Sequence, residues 1–105
     1  MSLFKISEKI VLNKLKKIEY GSLKLINYDG QVFHFGNLEN ELTADIKINN
    51  EKFYFNIIVG GSSALGEAHM SKDFYSTNLT NLIELTARNI RLVHSFSGSL
   101  RIQKI

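Results

Sequence analysis

At 105 residues, 44% of them hydrophobic and 22% charged, the chain suits one folded domain and is too apolar for disorder to be the main reading. It has no Cys, Pro or Trp, which excludes a disulfide framework and thiolate zinc sites. The net charge of +3 at pH 7 falls short of a typical nucleic-acid binder, and its placement is uneven: residues 1–18 hold five Lys against one acid, 19–87 four Lys against nine acids, and 88–105 four cations with no acid.

Residues 3–18 are predicted to form an amphipathic helix. Leu3, Phe4, Ile6, Ile10, Val11, Leu15 and Ile18 fall on one arc, with Lys5, Lys9, Asn13 and Lys16 opposite. Gly21 supplies a stop. Such a helix either packs its apolar arc on its own domain or lies on an anionic bilayer. Lys5, Lys9 and Lys16 are therefore the candidate membrane contacts. Residues 22–36 read as a β-hairpin around Asn27-Tyr28-Asp29-Gly30, because Asp-Gly tolerates the positive φ of a tight turn. Phe33 and Phe35 share one face of its second strand, and Val32 and His34 the other. Residues 41–48 alternate, with Leu42, Ala44, Ile46 and Ile48 on one side and Thr43, Asp45 and Lys47 on the wet side.

Asn49-Asn50-Glu51 reads as a turn and cap, and residues 51–59 suit a helix or a strand equally. Gly60-Gly61-Ser62-Ser63 is a break, and Ala64–Lys72 a short helix. A last helix is expected to start with Ser76 or Thr77 as cap. It carries Leu79, Leu82, Ile83, Thr86, Ile90 and Val93 as its stripe and ends in the Ser95–Ser99 segment. A basic-apolar tail follows from Leu100.

No apolar run approaches the roughly 20 residues of a membrane span. Lys5, Glu8 and Lys9 interrupt the place where a signal peptide would have its core. A cytoplasmic protein, at most peripheral to the inner membrane, is expected. His34, His69 and His94 lie in three different elements with no metal-ligand spacing. No Gly-x-Ser-x-Gly elbow is present. Gly61 and Gly66 have the spacing of a phosphate loop, but Glu67-Ala68 stands where Lys and a hydroxyl are needed, and a carboxylate there repels phosphate. No Gly-x-Gly-x-x-Gly cradle occurs either. The hairpin strand with Phe33 and Phe35 lacks Lys and Arg, so no nucleic-acid partner is expected.

The most specific stretch is Val59-Gly60-Gly61-Ser62-Ser63-Ala64-Leu65-Gly66-Glu67-Ala68-His69-Met70, followed by Asp73-Phe74-Tyr75, Asn78-Leu79 and Ala87-Arg88-Asn89. It resembles the N-terminal region of cyclopropane-fatty-acyl-phospholipid synthases and the related mycolic-acid cyclopropane synthases. Leu65-Gly66-Glu67-Ala68 and Met70 match that family's motif, while His69 replaces its usual Tyr and Ala64 its frequent Gly. Upstream, Gly21–Leu25, Asp29-Gly30 and Phe35-Gly36 also fit.

The resemblance, over about residues 10–97, implies a bacterial S-adenosylmethionine-dependent enzyme of lipid biosynthesis. Its methyltransferase domain would lie C-terminal to this chain, which itself would hold no catalytic, cofactor or metal residues. Residues 1–97 would be the non-catalytic domain and 98–105 the start of a basic linker. The expected architecture is α+β and lipid-carrier-like: a small antiparallel sheet from residues 22–48, covered on one face by the N-terminal helix and two C-terminal helices. Leu65, Gly66, Glu67, Met70, Phe74 and Tyr75 are the candidate interface, toward acyl chains of the phospholipid membrane or toward the methyltransferase domain. Glu67 also reads as a first-turn carboxylate at a helix N-terminus. Two alternatives stand beside this reading: a free-standing lipid-carrier-like binding module, and a pure docking or homodimerisation domain.

Overall fold

The first amphipathic pattern forms α1, Leu3–Leu15, in the computed structural model, which describes residues 2–37 and 41–98. Ser2 caps it, its hydroxyl accepting the Phe4 amide at 3.1 Å. Regular helix stops before Ile18 because the amides of Lys16, Lys17 and Ile18 each bond the carbonyl three residues back, tightening the last turn. Ile18 still packs against the core.

Strands β1, Ser22–Ile26, and β2, Val32–Gly36, make the expected hairpin, with Leu23 opposite Phe35 and Leu25 opposite Phe33. Strand β3, Thr43–Ile48, does not continue the meander beside β2. It lies on the other side of β1 and runs parallel to it, and the two-residue β4, Phe74–Tyr75, pairs antiparallel with β3. The order β2-β1-β3-β4 is thus a mixed sheet with two antiparallel pairings and one parallel. This order makes β1 central, where Leu23 and Leu25 are buried, and leaves β2 at the edge with Val32 and His34 exposed.

Residues Lys52–Gly60 are α2, which decides between helix and strand for that stretch. Phe53, Tyr54, Ile57 and Ile58 are all buried, a spacing that one helix face meets and an alternating strand does not. Helix α3, Ser62–Met70, begins directly after Gly61, whose φ of +63° makes the break. The expected last helix is two helices, α4 (Leu79–Arg88) and α5 (Ile90–Gly98), divided at Asn89. Asn78 caps α4 by accepting the Asn81 amide at 3.0 Å. Ser76 and Thr77, expected as caps, instead donate their hydroxyls to Asp45, at 3.3 and 2.7 Å. Leu82, Leu85 and Phe96 are buried, whereas Ile83 and Ile90 of the expected stripe are exposed: the buried face of α4 runs through Leu82 and Leu85 and leaves Ile83 outside it, and Ile90 follows the break at Asn89. Ser95–Gly98 continue α5 rather than ending it. Beyond Gly98, the expected linker lies outside the described residues.

The fold is therefore α+β, with five helices and a four-stranded sheet among the described residues. One sheet face carries Leu23, Leu25, Phe35, Ala44, Ile46 and Ile48 into a core shared with Val11, Phe53, Ile57, Leu82, Leu85 and Phe96. Lys24, His34, Thr43 and Lys47 leave the other face wet. None of the helices in the described residues is long and apolar enough to cross a membrane.

Candidate functional site

The motif around Gly66 does not form one apolar surface. Leu65 is half-buried and turns inward, and Phe74 is core, pairing opposite Ile48 and meeting the Phe53 ring edge-on at 5.6 Å. Met70 is 84% exposed and Tyr75 59% exposed, so of the six candidate interface residues these two present apolar surface. Gly66 and Glu67 are exposed on α3. Glu67 is the sixth residue of α3, past the first turn, so it does not cap that helix's dipole. It shares a cleft between α2 and α3 with Asp73, Asn56 and Ser71. The two helices approach closely there, since a Cβ on Gly60 would come within 2.8 Å of the Ala64 Cβ.

Of the three candidate membrane lysines, Lys9 is exposed on α1, Lys16 is exposed just past its end, and Lys5 is already engaged. Its ammonium donates to the Tyr28 hydroxyl oxygen at 2.7 Å and sits 5.2 Å from that ring's centre. Tyr28 in turn donates to Glu8 at 2.5 Å, and the bond from Lys5 holds the ammonium above its ordinary pKa. Burial, then the bond to Glu8, raises the Tyr28 hydroxyl. The Asn27 amide donates to Glu8 at 3.1 Å, and the Tyr54 hydroxyl donates to Asn27 at 2.6 Å. Tyr54 is fully buried, and burial first, then the Glu8 charge, pushes its pKa well above the usual tyrosine range. Every member of this chain has a partner, so it pins the β1–β2 turn to α1 and α2 rather than poising a group for reaction.

Two concavities were not legible in the sequence. The first is an apolar cavity of about 90 Å³ between the sheet and the helices. Val11 and Leu15 of α1, Leu25 and Ile46 of the sheet, Phe53 and Ile57 of α2, Leu65 of α3, Leu85 of α4, and Val93 and Phe96 of α5 line it. Apart from Gly61, Thr86 and Asn89 the lining is aliphatic or aromatic. Residues from two strands and five helices meet there, a convergence that spacing along one element does not reveal.

The second is a polar pocket of about 400 Å³ between the end of α1 and the α4–α5 junction, lined by Lys17, Glu19, Tyr20, Arg88, Asn89, Ile90, Arg91 and Leu92. Asn89 and Leu92 line both cavities. Asn89 is buried; its side-chain oxygen accepts the Glu19 and Tyr20 amides at 3.0 and 3.3 Å, and its NH₂ donates to the Tyr20 and Leu85 carbonyls at 3.0 and 2.9 Å. Among the described residues no cluster of three His, Asp or Glu could hold a metal ion. Comparison with family models, with curated proteins and with solved structures finds no match to this chain.

Proposed function

We propose that this chain is the non-catalytic N-terminal domain of an S-adenosylmethionine-dependent cyclopropane-fatty-acyl-phospholipid synthase, and that it engages part of a phospholipid acyl chain. The observation that carries the reading is the apolar cavity beneath α1 and α5. A solvent-connected space whose lining is apolar apart from Thr86 and the already hydrogen-bonded Asn89 favours hydrocarbon over water, which needs two to four polar partners. At about 90 Å³ it is smaller than the roughly 300 Å³ and upward of a typical ligand pocket, so it takes a short segment of chain rather than a whole lipid. The motif from Val59 to Asn89 supports the same family on independent grounds. S-adenosylmethionine and the methyl-transfer chemistry belong, in this reading, to a C-terminal methyltransferase domain, and the domain works at the membrane surface.

The test is a titration of the purified chain with a fluorescent fatty acid and, separately, with S-adenosylmethionine. Displaceable binding of the fatty acid is expected, abolished when Val93→Trp fills the cavity, with no binding of S-adenosylmethionine. Binding of S-adenosylmethionine by this chain alone would overturn the division of labour. A second reading, a docking or homodimerisation domain, is favoured by the exposure of Met70, Val59 and Tyr75. It predicts no fatty-acid binding and an association weakened by Met70→Ser.

A further inference from the structure

We propose that the basic pocket at the α4–α5 junction takes the phosphate of an anionic amphiphile whose tail enters the adjoining apolar cavity. The proposal rests on the acyl-chain reading above and adds the headgroup chemistry and its residues. The two cation-rich ends of the sequence, far apart along the chain, meet here: Lys17 follows α1, and Arg88 and Arg91 flank the helix break. The Lys14 ammonium donates to the Ser95 hydroxyl at 3.3 Å, which ties α1 to α5 beside the pocket.

The cations are not equally committed. Arg88 is held by Glu84 at 3.2 Å. Lys17 and Arg91 have no carboxylate within 4.0 Å among the described residues. Glu19 is the single acid in the lining, and with Arg88 paired to Glu84 the two remaining cations, Lys17 and Arg91, outweigh it and leave the pocket positive. A guanidinium offers paired donors that match phosphate oxygens, and an ammonium adds a point charge. Asn89 cannot serve as a ligand, since its side chain is spent on four backbone groups; it is a shared wall. Tyr20 and Ile90, both exposed at the pocket, offer the amphipathic surface that suits the boundary between headgroup and chain. A volume of about 400 Å³ accommodates a phosphate with its nearest ester carbons. These groups differ from Lys5, Lys9 and Lys16, the lysines that the helix pattern alone points to.

The experiment titrates the folded chain with dodecyl phosphate, dodecanol and inorganic phosphate, below micellar concentration and at low salt, by NMR. Dodecyl phosphate is expected to bind about tenfold more tightly than dodecanol, a margin of the size that charge-assisted hydrogen bonds provide. That margin should vanish in Lys17→Gln/Arg91→Gln while dodecanol binding stays unchanged. It should persist in Lys24→Gln/Lys47→Gln, which removes the same charge from the far face of the sheet. Equal binding of the two chain probes, or equal loss in both double variants, overturns the phosphate site and leaves the acyl-chain reading standing. Inorganic phosphate binding as tightly as dodecyl phosphate overturns the amphiphile in favour of free phosphate. If neither chain probe binds, both readings fall.

Discussion

Replacing Asn89 by Ala removes a side chain whose hydrogen bonds join the α1–β1 connection to the α4–α5 break. Four side-chain hydrogen bonds are lost, to the amides of Glu19 and Tyr20 and to the carbonyls of Tyr20 and Leu85, although the Leu85 carbonyl keeps the backbone amide of residue 89. At about 0.5–1.5 kcal/mol net for each hydrogen bond, the loss spans roughly 2–6 kcal/mol. Glu19 and Tyr20 are exposed, so water recovers part of it, and the 3.3 Å bond to Tyr20 is the weakest. The expected destabilisation is therefore about 2–3 kcal/mol, read as a lower urea midpoint by far-UV circular dichroism with an unchanged slope. Asn89→Asp keeps the oxygen that accepts the Glu19 and Tyr20 amides but, ionised, cannot donate, and it sets a carboxylate against the Tyr20 and Leu85 carbonyls. It should lose at least as much as Ala at neutral pH. A loss below about 0.5 kcal/mol for Asn89→Ala would refute the view that these bonds hold the junction together.

Three further outcomes follow from the packing. Gly36→Ala should destabilise by about 3 kcal/mol, since its φ is +85° and an added Cβ would sit 2.3 Å from the Gly21 carbonyl oxygen; Gly30→Ala, at φ +89° with open space around it, should lose only about 1 kcal/mol, and urea unfolding of the pair checks the contrast. Phe74→Ala should lose about 3–5 kcal/mol, because Phe74 is buried against Phe53, whereas Met70→Ser should change stability by less than about 0.5 kcal/mol, and equal losses would contradict their assigned places. Above the ordinary tyrosine pKa near 10, the unfolded chain releases the Tyr54 proton while the folded chain retains it, so stability is intact below about pH 10 and falls as pH rises beyond it, by about 1.4 kcal/mol per unit for this one group. Tyr54→Phe should flatten that alkaline slope in urea midpoints measured across pH 9–11, and an unchanged slope would count against the buried Tyr54 hydroxyl as its source.

Local chemistry was enough to place the hairpin at Asp29-Gly30, the inward row Ala44, Ile46 and Ile48, and the α+β class. These features depend on neighbours within a turn or on a period of two, and both are written along the chain. The helix at Lys52–Gly60 needed the tertiary structure, because only the core decides that Tyr54 and Ile58 are buried together with Phe53 and Ile57. The parallel pairing of β3 with β1 needed it as well. An alternating strand buries the same row whichever neighbour it takes, so its partner is chosen by which strand gains most from being covered on both edges. The same holds for the candidate site. The motif around Gly66 is visible in the sequence, yet its Phe74 belongs to the core and its Met70 to the surface. The apolar cavity and the Lys17–Arg91 pocket arise where α1 crosses the α4–α5 break, and the break rests on hydrogen bonds from Asn89 to residues some seventy positions away. Charge at each end of the chain was countable from the start. That Lys17 and Arg91 share one pocket is decided by packing, since side chains distant in sequence are brought together only by the core that forms between their elements.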